Sequence, residues 1–428
     1  MGTVPHHYAP RMVSDVALGT FELSDPEFWI AAREYRHAAF RALRAADELV
    51  FFDEWEFEGS PLPQGPGYWA ITRYEDVWAA SRNPQVFTSG HGVNIGDIPQ
   101  EMNEFIGSMI AMDDPRHFRL RNIVAKGFTP KQVTQVEGYV RTKASAIIDR
   151  LLEQFPEGEC DFVEQIAAPL PLQIICEMMG IPPSDEAQIF QWTNVILGVG
   201  DPEFVGSFEQ LLGVLFEMFA YAQKLGEDRR ANPGDDIASV LMHAEVDGER
   251  LTPQEFGSFF ILLVVAGNET TRNAIAHGMK MLTDFPDQRR LWFDDYQGHA
   301  KTAVDEVVRC ATPVIHFRRT VSEDTVIRNT KIAAGQKAVL WYNSANRDET
   351  VFANADDFDI ARPLQPQQVG FGAGGPHFCL GANLARREIA VIFDEIRTRL
   401  PNLVITSEPD YLQSAFINGI KRMRCAWK

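Results

Sequence analysis

The stretch FGAGGPHFCLG, Phe371–Gly381, sets four glycines, a proline and a histidine around a single cysteine. Directly after it, ANLARREIAVIFDEIRTRL (382–400) shows helical periodicity. Residues with little or no side chain let a backbone lie close to a flat or bulky partner. A helix that begins just past Cys379 aims its first amides and its dipole at the sulfur, which favours thiolate over thiol.

Lone cysteines are commonly core filler, so the flanks are what set this one apart. A soft thiolate serves as a nucleophile or a metal ligand. Structural zinc needs about three more ligands at characteristic spacing, and only His377 is near. A thiol nucleophile needs a base, a role open to His377. The third option is one thiolate on an iron whose remaining ligands are not protein, as in haem.

Upstream, Thr252-Pro253-Gln254-Glu255 is a capping box with proline at the first helical position, and it opens a helix expected over 252–284. At ~1.5 Å per residue such a helix is about 50 Å long. Its middle, SFFILLVVAG, is apolar all round, so the helix is buried. Ala266-Gly267-Asn268-Glu269-Thr270-Thr271 interrupts that apolar run. Small residues at this point suit close packing. Burying a carboxylate and hydroxyls nevertheless costs free energy unless they are bonded or used. Threonine can also bond back to the preceding turn, which would leave an acid and an alcohol at a cavity. Glu306 and Arg309, at i and i+3, are most simply a surface pair. His117 and Arg121, one turn apart, suit an anionic partner.

The periodicity predicts further helices near 25–46, 73–81, 115–126, 130–154, 162–179, 184–197, 204–230, 299–310 and 380–399. Strands are expected at 68–72 and 337–342, with short pieces within 313–333 and 402–426. Residues 343–378 read as irregular, an unusual length for a compact domain unless it serves function. The expected class is mainly α with small β-sheets: a loose N-terminus (1–15) followed by one domain (16–428). Net charge −19 argues against nucleic acid. Five scattered cysteines without CxxC pairing suit a reducing cytoplasm. No run approaches the ~18 apolar residues of a membrane span.

In chain order these pieces are HxxxR, AGxET, ExxR, FDxxR and FGxGxxHxCxG. Over essentially the whole chain this resembles the cytochrome P450 family of haem-thiolate monooxygenases. PLPLQIICEMMGIP, NSANRDE and HFCLGANLARREI further resemble the actinobacterial members that oxidise methyl-branched lipids and sterol side chains. The resemblance implies a single large triangular domain around a buried haem b. Cys379 would be the proximal ligand, with Ala266, Gly267, Phe371, Gly372 and Gly381 also against the cofactor. His117, Arg121, Arg319 and His377 would hold the haem propionates. Arg319 is preferred to Arg318 for its spacing to Asp324. Glu306, Arg309 and Arg362 would form a buried structural triad. Glu269 and Thr270 would relay protons to bound dioxygen. One departure is an extra residue between Phe371 and Cys379, with Pro376 beside it, which leaves open which glycine turns the loop.

By the same matching, Ile110, Leu263, Val314 and Phe416 fall in the substrate pocket, an apolar lining suited to a long or branched hydrocarbon. The implied reaction is terminal hydroxylation of a methyl-branched lipid, isoprenoid or terpenoid. Alternatives are a sterol side chain, or a non-oxygenating rearrangement. No flavin or iron–sulfur motif occurs in the chain, so electrons would come from a ferredoxin and its NAD(P)H-dependent reductase. Lys126, Arg386 and Arg387 are the expected docking cations of a cytoplasmic monomer. Two rivals fall short. Gly372-x-Gly374 lacks the third glycine and the βαβ context of a dinucleotide site, and a passive haem carrier has no use for Glu269–Thr270.

Overall fold

The structure is a computed structural model that describes residues 16–56, 62–125, 130–245 and 248–428, leaving aside the side chains of 130–137. The segment 1–15 and Lys126 lie outside the described residues. Helices α1 (Pro26–Ile30), α2 (Arg33–Ala45), α3 (Tyr74–Ser81), α4 (Gln100–Gly107), α5 (Arg116–Ala125), α6 (Pro130–Gln154), α7 (Pro169–Met179), α8 (Glu186–Leu197) and α9 (Phe208–Ala231) come first. They are followed by α10 (Ile237–His243), α11 (Pro253–Asp284), α12 (Pro286–Asp294), α13 (Tyr296–Ala311), α14 (Tyr342–Ala345) and α15 (Ala382–Arg399). The strands are β1 (Val50–Phe52), β2 (Tyr68–Ile71), β3 (Phe87–Thr88), β4 (Glu159–Asp161), β5 (His316–Val321) and β6 (Thr325–Ile327). β7 (Thr330–Ile332), β8 (Lys337–Trp341), β9 (Val404–Ile405), β10 (Asp410–Tyr411), β11 (Ile420–Arg422) and β12 (Arg424–Ala426) complete them.

Every long helix expected from periodicity is present except that over 25–46, which the non-helical Ala31 and Ala32 break into α1 and α2. The short α4, α10, α12 and α14 and the edge strands β1, β3 and β4 were not anticipated, because runs this short carry too few turns to show a period. The long central helix is α11. Its capping box is complete: the Glu255 amide donates to Thr252 Oγ1 at 3.1 Å, and the Thr252 amide to Glu255 Oε2 at 2.9 Å. Helices α4, α7, α8, α9, α13 and α15 all pack on it, which is why its run Phe259–Val265 is apolar on every side. None of the described helices is long and apolar enough to cross a membrane.

A five-stranded sheet runs in the order β1-β2-β8-β5-β3, with β2–β8 parallel and the other pairs antiparallel. Beneath it Trp29 stacks on Trp341 at 5.7 Å, and the His316 ring lies 4.9 Å from Trp341. Burial holds His316 and, on α11, His277 neutral, pulling each pKa down to about 4. An unfolded histidine titrates near 6.5, so from about pH 6.5 down to 4 the unfolded chain takes up protons that the fold refuses. Stability is therefore full above pH 6.5 and falls as pH drops towards 4, by ~1.4 kcal/mol per histidine for each pH step of one. Urea midpoints measured across that window should show this slope, and His316→Phe should make it shallower. An equal slope in the variant would remove His316 from the explanation.

Candidate active site

The cysteine loop closes on itself through the Cys379 amide, which donates to Phe371 O at 2.9 Å. The turning glycines are Gly372, Gly374 and Gly375, at φ 95°, 73° and 76°. At Gly375 a Cβ would run into the Ser81 carbonyl at the end of α3, and Ser81 Oγ donates to Gly374 O at 3.0 Å. The loop thus turns at these three glycines and lies against the end of α3. Cys379 is accessible, whereas the other four cysteines are buried.

The expectation of a thiolate favoured by the helix alone needs correction. The accessible side of Cys379 opens deep among protein atoms, and that burial raises its pKa above the usual value. It outweighs the Gly381 amide, Arg121 and Arg386, which all pull the pKa down. Without a cation at the sulfur the thiol form is therefore favoured. The Gly381 amide, Arg121 and Arg386 moderate that penalty without removing it.

Beneath the loop, Arg309 grips Glu306 with two hydrogen bonds of 2.7 Å, and Arg362 Nε adds a third at 3.0 Å. Arg309 also donates to the carbonyls of Asn346, Ala355 and Asp357. The irregular 343–378 segment is thus organised around one guanidinium. Burial pushes the Glu306 carboxyl up, but Arg309, the Asp359 amide and Arg362 together hold it below the usual range. This pair is therefore no surface ion pair: Glu306 and Arg309 are each 1% exposed. Arg386, expected as a docking cation, is committed internally. It pairs with Asp305 on α13 at 2.8 Å, and its guanidinium covers the Phe371 ring at 4.4 Å.

His117 on α5 and His377 lie ring against ring at 4.3 Å. Burial, followed by the charges of Arg319, His117 and Arg121, drives the His377 pKa down to about 2. The two arginines of β5 point to opposite faces, as successive strand residues must. Arg318 is bound to Asp97 at 2.6 Å, while Arg319 turns towards His377 with no carboxylate partner among the described residues. Arg319 is thus the free one, although Asp324 is not the reason: that carboxylate accepts from the Ala334 amide. Arg121 donates to Phe378 O at 2.6 Å. His117 Nδ1 is fixed by Asp114 at 3.2 Å, while its Nε2 is buried without a partner among the described residues.

On α11, Ala266 is exposed and Gly267 and Thr270 are half-exposed in the middle of a helix otherwise enclosed by packing. That face must border an internal cavity. Thr270 Oγ1 donates back to Ala266 O at 2.8 Å. At Gly267 there is also a packing reason for glycine, since a Cβ would sit 3.2 Å from Ile175 of α7. Glu269 is fully buried, ion-paired with Arg272 and bonded by Asn273 Nδ2 at 3.1 Å. The sequence reading missed both partners, although their i+3 and i+4 spacing is a signal for them. It also missed Ser89, whose hydroxyl lies 3.2 Å from His377 Nε2. No sequence pattern links two residues so far apart. Ile110, Leu263, Val314 and Phe416 are all half-buried, and Val314 bridges to Ile417 beside Phe416.

An accessible thiol on a glycine loop, a cluster of cations and histidines short of acid, an orphaned His117 Nε2 and an open helix face fit a flat dianionic metal cofactor. The cations match its carboxylates and the thiol its metal. A model of the family described as Cytochrome P450 matches residues 300–398. A Mycobacterium tuberculosis protein named methyl-branched lipid omega-hydroxylase is 50% identical over 413 residues, 96% of each chain. A steroid C26-monooxygenase of Rhodococcus jostii is 42% identical, over 99% of this chain and 90% of its own. A Mycobacterium marinum cytochrome P450 solved with pseudoionone superposes with a TM-score of 0.90 at 39% identity, over 96% of this chain and all of that one.

Proposed function

The chain belongs to the cytochrome P450 family of haem-thiolate monooxygenases, and from that premise we propose that it hydroxylates the terminal carbon of a methyl-branched lipid. The observation that carries the site is the open Ala266–Thr270 face inside a buried helix, together with the one accessible cysteine. Cys379 takes the haem iron, while His117, Arg121, Arg319 and His377 take the propionates. Bound there, haem supplies the O2 activation that an unactivated C–H bond requires. Thr270 presents its hydroxyl to the cavity. Glu269, once released from Arg272, would take up a proton from solvent and hand it on to that hydroxyl. Apolar Ile110, Leu263, Val314 and Phe416 exclude water and hold the hydrocarbon. Residues 16–428 work as one unit, and electrons come from a ferredoxin and its reductase.

The substrate class rests on the margin of identity: the 50% relative carries the branched-lipid name, and the steroid-acting relative stands at 42%. A steroid side chain is the second reading, since it too presents a branched terminal methyl. Optical titration of the ferric holoenzyme with methyl-branched acids, terpenoids and sterols separates the two. A saturating blue shift of the main haem band, tightest for branched chains, is expected. A shift with sterols alone would move the substrate to the second reading, and no shift with an intact haem would remove the branched-lipid assignment.

A further inference from the structure

Helix α2 carries Arg33, Arg36, His37, Arg41 and Arg44 at helical spacing along one side. Its later members have acidic partners. Arg41 donates to Asp356 at 2.7 Å, and Arg44 lies 2.7 Å from Glu349. The first turn differs. Neither Arg33 nor Arg36 has a carboxylate in ion-pair reach among the described residues, and Arg36 Nε is buried without any hydrogen-bond partner.

Other cations crowd the same place. The Arg36 guanidinium lies 5.9 Å from the centre of the Tyr411 ring, and the His277 ring lies 6.2 Å from Tyr411. Arg347 donates to Cys310 O at 2.9 Å and reaches Asp356 only at 3.7 Å, where His37 and Arg41 already compete. Asp356 is thus shared among three cationic or ionisable groups. Burial, and after it the like charge of Arg33, pull both Arg36 and Arg347 down to about 10, with Tyr411 and Cys310 respectively opposing. Burial likewise lowers His277, and there Arg33, Arg36 and Arg347 all add to it.

A chain of net charge −19 has acids to spare, yet here Arg33 and Arg36 have none in ion-pair reach among the described residues, and Arg347 has only a share of Asp356 at 3.7 Å. Left so, the cluster destabilises the fold through desolvation and mutual repulsion. We propose that Arg33, Arg36 and Arg347, edged by His277 and Tyr411, form a site for a phosphate-class dianion, separate from the residues assigned to haem. Forked guanidinium donors match tetrahedral oxyanions, and neither Arg33 nor Arg36 spends its donors on a carboxylate among the described residues. Arg33, Arg36 and His277 are half-buried, so the site is open to solvent on one side. Free phosphate and the phosphoryl group of a monoester share this chemistry.

The test is thermal unfolding of the haem-loaded enzyme in inorganic phosphate, in glycerol phosphate and in chloride at equal ionic strength. In wild type, phosphate should raise Tm along a saturating curve by about 2–3 °C at high occupancy. Arg33→Gln and Arg36→Gln, singly and together, should abolish the saturating part and leave only the linear salting effect that phosphate has on any protein. The same variants should be more stable than wild type in chloride, because repulsion is relieved, with the carbon monoxide spectrum unchanged. A larger shift with glycerol phosphate marks an ester as the ligand, and an equal or smaller one marks free phosphate. An identical phosphate response in wild type and the double variant would overturn the site, as would variants less stable than wild type in chloride.

Discussion

Cys379→Ser should fold, yet its reduced, carbon monoxide-bound form should lack the red-shifted band of a thiolate-ligated haem, and turnover should fall below detection. A hydroxyl is a harder and far less acidic ligand than a thiol, and burial at this position already works against the charged form even for sulfur. No other cysteine can substitute: Cys160, Cys176, Cys310 and Cys425 are all buried elsewhere in the fold. The loop's own bonds are backbone bonds, such as that from the Cys379 amide to Phe371 O. The substitution should therefore leave the fold in place. The urea midpoint should stay near that of the wild-type apoprotein. If the variant kept the red-shifted band, the iron ligand would have to be sought elsewhere.

Glu306→Ala should lose most of its haem and a large part of its stability. The carboxylate is the common acceptor for Arg309 and Arg362, and its removal leaves a fully buried guanidinium uncompensated. Breaking a buried pair in this way costs about 3–5 kcal/mol, against a total stability of roughly 5–15 kcal/mol. The loss is transmitted to the cofactor because Arg309 organises the segment that leads to the cysteine loop. Arg362→Ala should cost less, since Arg362 is 11% exposed and water can reach the vacated space. The haem-to-protein ratio and the urea midpoint, measured on both variants, check the order. Full haem content and an unchanged midpoint in the Glu306→Ala variant would refute the structural role.

Much of this was legible beforehand for identifiable reasons. The α11 capping box and its all-round apolar middle are local signals, and the long helices show their period over many turns. Glu306 and Arg309 alone read as a surface pair. Only the ordered set of motifs placed them inside, and the structure shows why: the 343–378 segment wraps around them. The short helices and edge strands were missed because their residues owe their conformation to neighbours distant in the chain.

Sequence by itself singled out Cys379 by its glycine flanks and the Ala266–Thr271 interruption of an apolar helix. Each of these rests on residue chemistry and spacing along one stretch of chain. Tertiary structure alone decided that Arg319 and not Arg318 turns towards His377, because Asp97 comes from a distant segment to take Arg318. It likewise committed Arg386 to Asp305 and Phe371, and it left Arg33 and Arg36 without acids among the described residues while their neighbours on α2 found theirs. A charged side chain's partner is set by which surfaces fold against it, and Coulomb attraction acts through space with no regard to distance along the chain.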